Sequence, residues 1–565
     1  LRLKKQHISW LLFSLPLVFL LVFYCYPLVK IILFSFSPGG ADGLNRLSKL
    51  FSTPTYLHIL WFTVWQAALS TIITLLLALP GAYVFAKFRF FGKDFLQALM
   101  TVPFVLPTVV TAAAFRALLG SNGLVNSWLM TSFDLSRPPI DIEQTVVFFL
   151  IAHVFYNYTM VLRIVASFWA SLDPGLVTAA RMLGASPWTA FRKITLPLLL
   201  PALGSAALLV FIFCFTSFGV VLILGGPGYA TIEVEIYRQA VQLFNLPMAA
   251  ALSLIQIGFN FILMWLHARL SQKSKVSFFS DAPATTIKPV KNWAEKLVLA
   301  GNIVFMLTLL ILPLAALLIS SVTGEHGFTL SYYKALLSGE SSSLFYVEPI
   351  VSVKNSIGFA LTAMVLALIL GLSAATFLAS EDKKRTNLWD AIIMLPLATS
   401  AVTLGFGYII TLNAPPLNLR DTLAIVPIAH TLVAFPFVVR CVLPGLRQIP
   451  AHLREAASLL GASPYRVWRL ITFPLIKKAI LVAAIFAFSI SMGEFGASAF
   501  LTRPHTPTMP VAIFRFLNQP GDMNFGQAMA MSCILMLVTC SSFWIIGRFS
   551  YPPTNPKPAT GPDEQ

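Results

Sequence analysis

The sequence predicts an all-α integral membrane protein of about twelve transmembrane helices, built as two parallel six-helix repeats with both termini in the cytoplasm. Three observations carry this. Hydrophobic residues make up 57% of the 565 and charged residues 11%, with mean hydropathy +0.80, whereas a soluble domain needs about 25% charged residues to cover its surface. Twelve apolar runs reach the roughly 20 residues that a helix needs to cross ~30 Å of hydrocarbon. The segment 153–203 recurs at 430–480.

The runs fall at 9–36, 57–86, 96–118, 144–168, 199–223, 249–268, 297–321, 355–380, 388–411, 422–443, 479–500 and 526–547. The first is too long for a signal-peptide core and no small-residue cleavage site follows it, so it is expected to be a retained span. Leu1 stands where an initiator Met is usual, and the first residues are expected to be missing. Pro80, Pro103, Pro107, Pro396 and Pro436 lie inside runs. Membrane helices tolerate them where neighbours satisfy the freed backbone groups. Cys25, Cys214, Cys441, Cys533 and Cys540 all sit in apolar stretches without a C-x-x-C pair and are expected to pack as small apolar residues.

The net charge of +17 has two candidate causes. Clustered cations bind phosphates in nucleic-acid partners, but cytoplasmic loops of membrane proteins also collect Lys and Arg. With the N-terminus inside, 28 of the 39 cations fall on cytoplasmic segments, from Arg2, Lys4 and Lys5 through the groups around 87–93, 163–193, 269–296, 383–385 and 440–478 to Arg548 and Lys557. The charge is therefore a record of topology, with membrane lipid as the surrounding partner and no nucleic acid.

The repeat aligns without gaps at an offset of 277, with about a third of positions identical. Arg163 falls on Arg440, Gly184 on Gly461, Pro197 on Pro474, and Phe218-Gly219 on Phe495-Gly496. Six spans separate equivalent points, so both halves share one orientation around an axis along the membrane normal, an arrangement that encloses a pathway. The expected organisation is a first repeat at 1–270, a cytoplasmic linker at 271–296, a second repeat at 297–548 and a cytoplasmic tail at 549–565.

The loops at 173–197 and 449–474 carry the most information. Asp173-Pro174 caps a helix, Gly184 and Gly461 suit its left-handed exit, and Ser186-Pro187 and Ser463-Pro464 start a second helix. Small residues (Ala179, Ala180, Ala456, Ala457) lie on one face of each. Two related knobs on the cytoplasmic side imply a two-fold partner.

These loops resemble the signature of the inner-membrane permeases of binding-protein-dependent ABC importers: Glu-Ala-Ala, three residues, Gly, nine residues, Ile-x-Leu-Pro. The second half matches from Glu455-Ala456-Ala457 through Gly461 to Ile471 and Pro474, with Phe473 for Leu. The first matches from Ala179 through Gly184 to Ile194 and Pro197, with Thr178 in place of Glu. The resemblance covers nearly the whole chain as two fused permeases with a type I importer fold. It implies that 178–184 and 455–461 are coupling helices, each docking one subunit of a cytoplasmic ATPase dimer. It also implies that a periplasmic or lipid-anchored binding protein delivers the solute, in the cytoplasmic membrane of a prokaryote. No G-x-x-x-x-G-K-[ST] loop is present, so ATP hydrolysis is expected from a separate subunit and this chain is not expected to be an enzyme. No cofactor is expected.

Ionisable residues inside spans mark functional sites. Glu494, in Met492-Gly-Glu-Phe-Gly496, is the clearest, and its repeat equivalent is Ser217. Ser217, Gly219, Glu494 and Gly496 are expected to line the pathway, the glycines allowing a bend. A carboxylate there suits a cationic solute, while a role in bracing a broken helix is the alternative. His153 and His430 are expected to pack rather than bind metal. Arg163 and Arg440 are expected to snorkel, and Gln66, Asn157, Gln256 and Asn260 to bond between helices. The stretches 215–227 and 230–237 are similar to the thiamine and ferric-iron group of fused permeases, although Gly-Glu-Phe-Gly also resembles molybdate permeases. The rival expectation is an ion-coupled secondary transporter with two six-span halves, which needs no repeated docking knob.

Overall fold

In a bilayer core the backbone has no water to bond, so each apolar run satisfies its own N–H and C=O groups by forming a helix. The computed structural model describes residues 13–36, 48–100, 102–274, 288–290, 292–324, 327–338, 348–380, 383–413, 415 and 417–550. Among these, eleven helices are long and apolar enough to cross a membrane, and a bent pair makes a twelfth. The expected cations Arg2, Lys4, Lys5 and Lys557, the tail from 551 and most of the linker lie outside the described residues.

Eight of the expected runs coincide with single helices to within about six residues at either end, from Phe13–Phe36 and Pro54–Lys87 through Ile425–Gln448 to Asp522–Ile545. The other four differ in where a helix breaks or continues. The third span was expected at 96–118. Instead Lys93–Leu99 and Val102–Val105 are short helices, and the apolar span starts at Thr108, running as one helix to Leu119 and, after a break at Gly120–Gly123, as a second from Leu124 to Phe133. Pro107 has extended ψ and no N–H to donate, so no continuous helix crosses it. In the second half the helices Leu388–Ala398 and Ala401–Thr411 meet at 88°. Here Ser400 leaves the helix and caps the next one by accepting from the Val402 N–H at 3.1 Å.

The fifth and eleventh spans begin earlier than expected, at Pro187 and Pro464, and end at Phe215 and Gly493. The second helix of each loop runs straight into the span. It does so through a π-helical turn at Phe191–Thr195 in one half and Trp468–Thr472 in the other. These turns sit at the same repeat offset, just before Pro197 and Pro474. A π-turn re-routes hydrogen bonds where a proline cannot donate, so the prolines end no helix here.

Within each half the second, fourth and fifth spans pack together. The fourth and tenth spans are the central pillars, with 78% and 72% of their most apolar windows buried, against 22% for the first span and 28% for the seventh. Those two outer spans are exchanged between halves. In the first span, the Tyr24 hydroxyl donates to Leu395 O (2.9 Å) and bonds Thr399 Oγ1 (2.7 Å), while Phe13 stacks on Phe377. In the seventh, Phe305 meets Tyr158 edge-on. Each half therefore clasps the other. Lys288-Pro289 pairs as a short parallel strand with Phe88-Arg89, and Asn292 with Glu295 forms a capping box that opens the seventh span.

Candidate functional site: two exposed loops and a cavity between the halves

Each loop is built by local chemistry that the repeat preserves. Asp173 Oδ1 accepts from the Gly175 N–H at 2.8 Å, starting helix Pro174–Met182. Gly184 exits at φ +85°, and Gly461 exits helix Ala451–Leu459 at φ +80°. After each glycine the next N–H returns to the helix, Ala185 to Ala180 O and Ala462 to Ala457 O, both at 3.0 Å. Ser186 then accepts from the Thr189 N–H at 3.1 Å and Ser463 from the Arg466 N–H at 3.4 Å. Thr178, in the position of the motif carboxylate, bonds back to Pro174 O at 3.1 Å, whereas Glu455 is exposed. Ala179 and Ala456 are exposed, and Ala180 and Ala457 half-buried.

The loops also present residues that sequence reasoning missed. Met182 and Leu183 are 85% and 89% exposed, and their equivalents Leu459 and Leu460 are 89% and 88% exposed. Trp188 and Tyr465 flank them, also exposed. Their signal was available: an apolar pair directly before the glycine in both copies. Apolar pairs presented this openly mark an interaction surface.

Between the halves lies a cavity of about 440 Å³ whose lining includes Ser217, Gly219, Glu494 and Gly496. The fifth span breaks after Phe215 and the eleventh after Gly493, and short helices Gly219–Leu224 and Ser498–Leu501 follow. Phe218 and Phe495, equivalent by the repeat, stack across the junction with centroids 5.3 Å apart. Gly219 and Gly496 sit beside the breaks, and neither has positive φ. What the glycines provide is close approach: a Cβ at Gly219 would lie 2.6 Å from Thr108 Oγ1 and 3.0 Å from Phe495 Cδ1, and one at Gly496 would lie 3.1 Å from Ala401 Cβ.

Glu494 closes the second break. Its Oε1 accepts from the Ala497 N–H (2.9 Å), and its Oε2 accepts from the Ser498 N–H (3.0 Å) and hydroxyl (3.1 Å). His430 Nε2 stands 3.4 Å from the same Oε2 and bonds Ser498 Oγ, while its Nδ1 bonds Ser491 Oγ at 2.7 Å. In the first half His153 bonds Ser70 Oγ of the second span through Nδ1 and Ser217 Oγ, at the position equivalent to Glu494, through Nε2, both at 2.9 Å. The two histidines are thus hydrogen-bonded hubs that tie each break to its pillar helix. Gln66 donates to Cys214 O at 2.8 Å and Asn157 to Cys214 Sγ at 3.4 Å, joining helices as expected. All five cysteines are free.

A second carboxylate lines the cavity, and sequence reasoning did not single it out. Glu233 lies on the short helix Ile232–Tyr237, outside the twelve apolar runs, and is 1% exposed. Gln256 Nε2 donates to its Oε1 at 2.6 Å, and Ser400 of the second half lines the same cavity. Gln256 Oε1 in turn accepts from Thr403 of the second half at 3.4 Å. The signal was the alternation Thr231-Ile-Glu-Val-Glu-Ile236, two acids set between apolar residues.

Two like-oriented six-span halves, exchanged outer spans, a cavity at their interface and a matched pair of exposed loops define a duplicated membrane permease. The chain belongs to the family of binding-protein-dependent transport system inner membrane components, whose model matches residues 78–276 and again 367–550. It is the permease of a binding-protein-dependent ABC importer, a multi-pass protein of the prokaryotic inner membrane and a transport component rather than an enzyme. The expectation of an ion-coupled carrier is set aside by that membership. The thiamine transport system permease protein of Brucella abortus (strain 2308) is 27% identical over 518 residues, covering 90% of each chain. That of Salmonella typhimurium is 27% identical over 525 residues, covering 89% of this chain and 92% of the relative. That of Escherichia coli K12 is 25% identical over 504 residues, covering 87% and 88%. A solved bacterial alginate ABC transporter chain is 18% identical, covering 48% of this chain and 98% of its own length at TM-score 0.41.

Proposed function

We propose that this permease imports thiamine, delivered by an external binding protein and driven by a separate cytoplasmic ATPase dimer. The observation that carries the substrate is the alignment of thiamine permeases along about nine-tenths of the chain, through both halves and the cavity between them. The cavity supports it chemically. Its volume suits a small organic solute, and it combines carboxylates with the aromatic faces of Tyr156, Phe218 and Phe495. Thiamine is a permanent cation with two aromatic rings, and rings attract cations over their faces. A bare metal ion is less well suited, because it needs several converging ligands, and the carboxylate of Glu494 is already engaged by Ala497, Ser498 and His430.

The ATPase dimer docks through the loops 173–197 and 449–474, one subunit on each half. Thr178 to Gly184 and Glu455 to Gly461 form the two knobs, and Met182-Leu183 and Leu459-Leu460 supply their apolar tips. With Thr178 bonded within its own helix, the first knob engages by packing, whereas the second adds a charge at Glu455. Ser217, Gly219, Glu494 and Gly496 border the translocation path, and the Phe218–Phe495 stack closes it at rest. The path opens between the two repeats, 1–270 and 297–548, each with its first span packed on the other.

Reconstitution tests the reading. Proteoliposomes holding this chain with its ATPase, and given the binding protein outside, accumulate labelled thiamine only when ATP is inside. Uptake of an unrelated solute with no thiamine uptake refutes the substrate. Thiamine uptake by the chain alone on an ion gradient refutes the ATPase coupling.

A further inference from the structure

The cavity between the halves contains two carboxylates, and their surroundings separate their roles. Glu494 is saturated: two backbone N–H groups, a serine hydroxyl and the ring of His430 engage its two oxygens. A substrate cation could reach it only by dismantling the cap that closes the eleventh-span break. Glu233 is held differently. It is 1% exposed, its carboxyl accepts from the neutral side chain of Gln256, and among the described residues no Lys, Arg or His forms an ion pair with it. A buried carboxyl without a cation is costly in its charged form, so burial favours the protonated form of Glu233 until a cation arrives to stabilise the charge, and ionisable groups placed in this way mark substrate paths.

The walls favour a particular kind of cation. Phe218, Phe495 and Tyr156 line the same cavity, with polar atoms of Ser217 and Thr399 beside them. Aromatic faces attract a diffuse organic cation that has little hydration to lose. We infer that Glu233, rather than Glu494, holds the positive charge of the transported solute, an aromatic organic monocation, and that Glu494 is a brace outside the contact. The inference rests on the proposed import of thiamine and assigns the residue that selects its charge. It also places the charge at the joint between halves, since Gln256, which bonds Glu233, accepts in turn from Thr403 of the second half, and Ser400 of that half lines the same cavity.

The test uses the complete transporter in proteoliposomes, with binding protein preloaded to saturation so that capture is not limiting. Uptake rates per assembled complex are compared for thiamine and for a neutral isostere in which an uncharged ring replaces the thiazolium. Wild type prefers thiamine. Glu233→Gln lowers the thiamine-to-isostere ratio at least tenfold, Glu233→Asp falls between, and Glu494→Gln slows both solutes together without changing the ratio. Should Glu233→Gln fail to assemble, Glu233→Asp keeps the charge on a shorter arm and carries the comparison alone. A ratio unchanged in the assembled Glu233 variants, or a ratio collapsed by Glu494→Gln instead, overturns the assignment. Wild type that moves no thiamine at all overturns the substrate proposal beneath it, an outcome distinct from the other two.

Discussion

Glu494 illustrates how a buried charge is made stable at a helix break. Restarting the chain as the short helix Ser498–Leu501 leaves the backbone N–H groups of Ala497 and Ser498 without carbonyl partners, and the carboxylate takes both. An amide at this position keeps one acceptor and turns an NH₂ toward a donor. Hydrogen bonds to a charged group contribute about 1.5–3 kcal/mol each. Glu494→Gln is therefore expected to lower the thermal unfolding transition of the purified permease, and an unchanged transition contradicts the bracing role. Gly219 makes the complementary case. Its missing Cβ leaves space for Thr108 and Phe495, and overpacking costs about 1–3 kcal/mol. Gly219→Ala is expected to impair uptake while the protein still inserts, whereas wild-type uptake would show that the contact can yield. The acid in the eleventh span was legible in the sequence because an ionisable residue stands out in an apolar run. Glu233 was not, because it lies between spans and only packing buries it.

At the scale of elements, the two loops show which features local rules determine. The Asp173 cap, both left-handed glycines and both serine caps follow from short-range chemistry, and each was readable from a few adjacent residues. The breaks at Pro107 and at Ser400 were not, and those after Phe215 and Gly493 were readable only as bends near Gly219 and Gly496. Apolar composition continues through them, and tertiary hydrogen bonds decide where the helix yields. The proposed docking knobs lead to two predictions. Gly461 has open space around its Cβ position, so a substitution there acts through φ alone, at about 1–2 kcal/mol of left-handed strain. Gly461→Val is expected to leave membrane insertion intact while uncoupling ATP hydrolysis from uptake, and normal uptake contradicts the docking role. Leu459→Ser with Leu460→Ser removes two side chains whose burial stabilises by about 1.5–3 kcal/mol each. This pair is expected to weaken ATPase association at least tenfold in a pull-down titration. Undiminished binding would move the interface elsewhere.

The whole molecule is one six-span unit used twice, and its halves hold each other by exchanging their outer spans. Separate chains cut within 275–287 are therefore expected to co-purify when expressed together. Removing the first span, with Phe13 and Tyr24, is expected to weaken that association, because the stack on Phe377 and the bonds to Leu395 and Thr399 go with it. Halves that separate freely contradict the clasp. The duplication was legible in the sequence because Gly-Ala-Ser-Pro recurs at one fixed offset. The exchange was not, because lipid-facing spans carry no mark of which half they lie against. In the proposed mechanism both copies of the loop engage one two-fold ATPase. Disulfide cross-linking from single cysteines at Leu183 and at Leu460 to the ATPase in native membranes measures this docking directly. Each position is expected to link to one ATPase subunit, and both together to capture the dimer on a single permease. Cross-links from only one loop, or from neither, would contradict it.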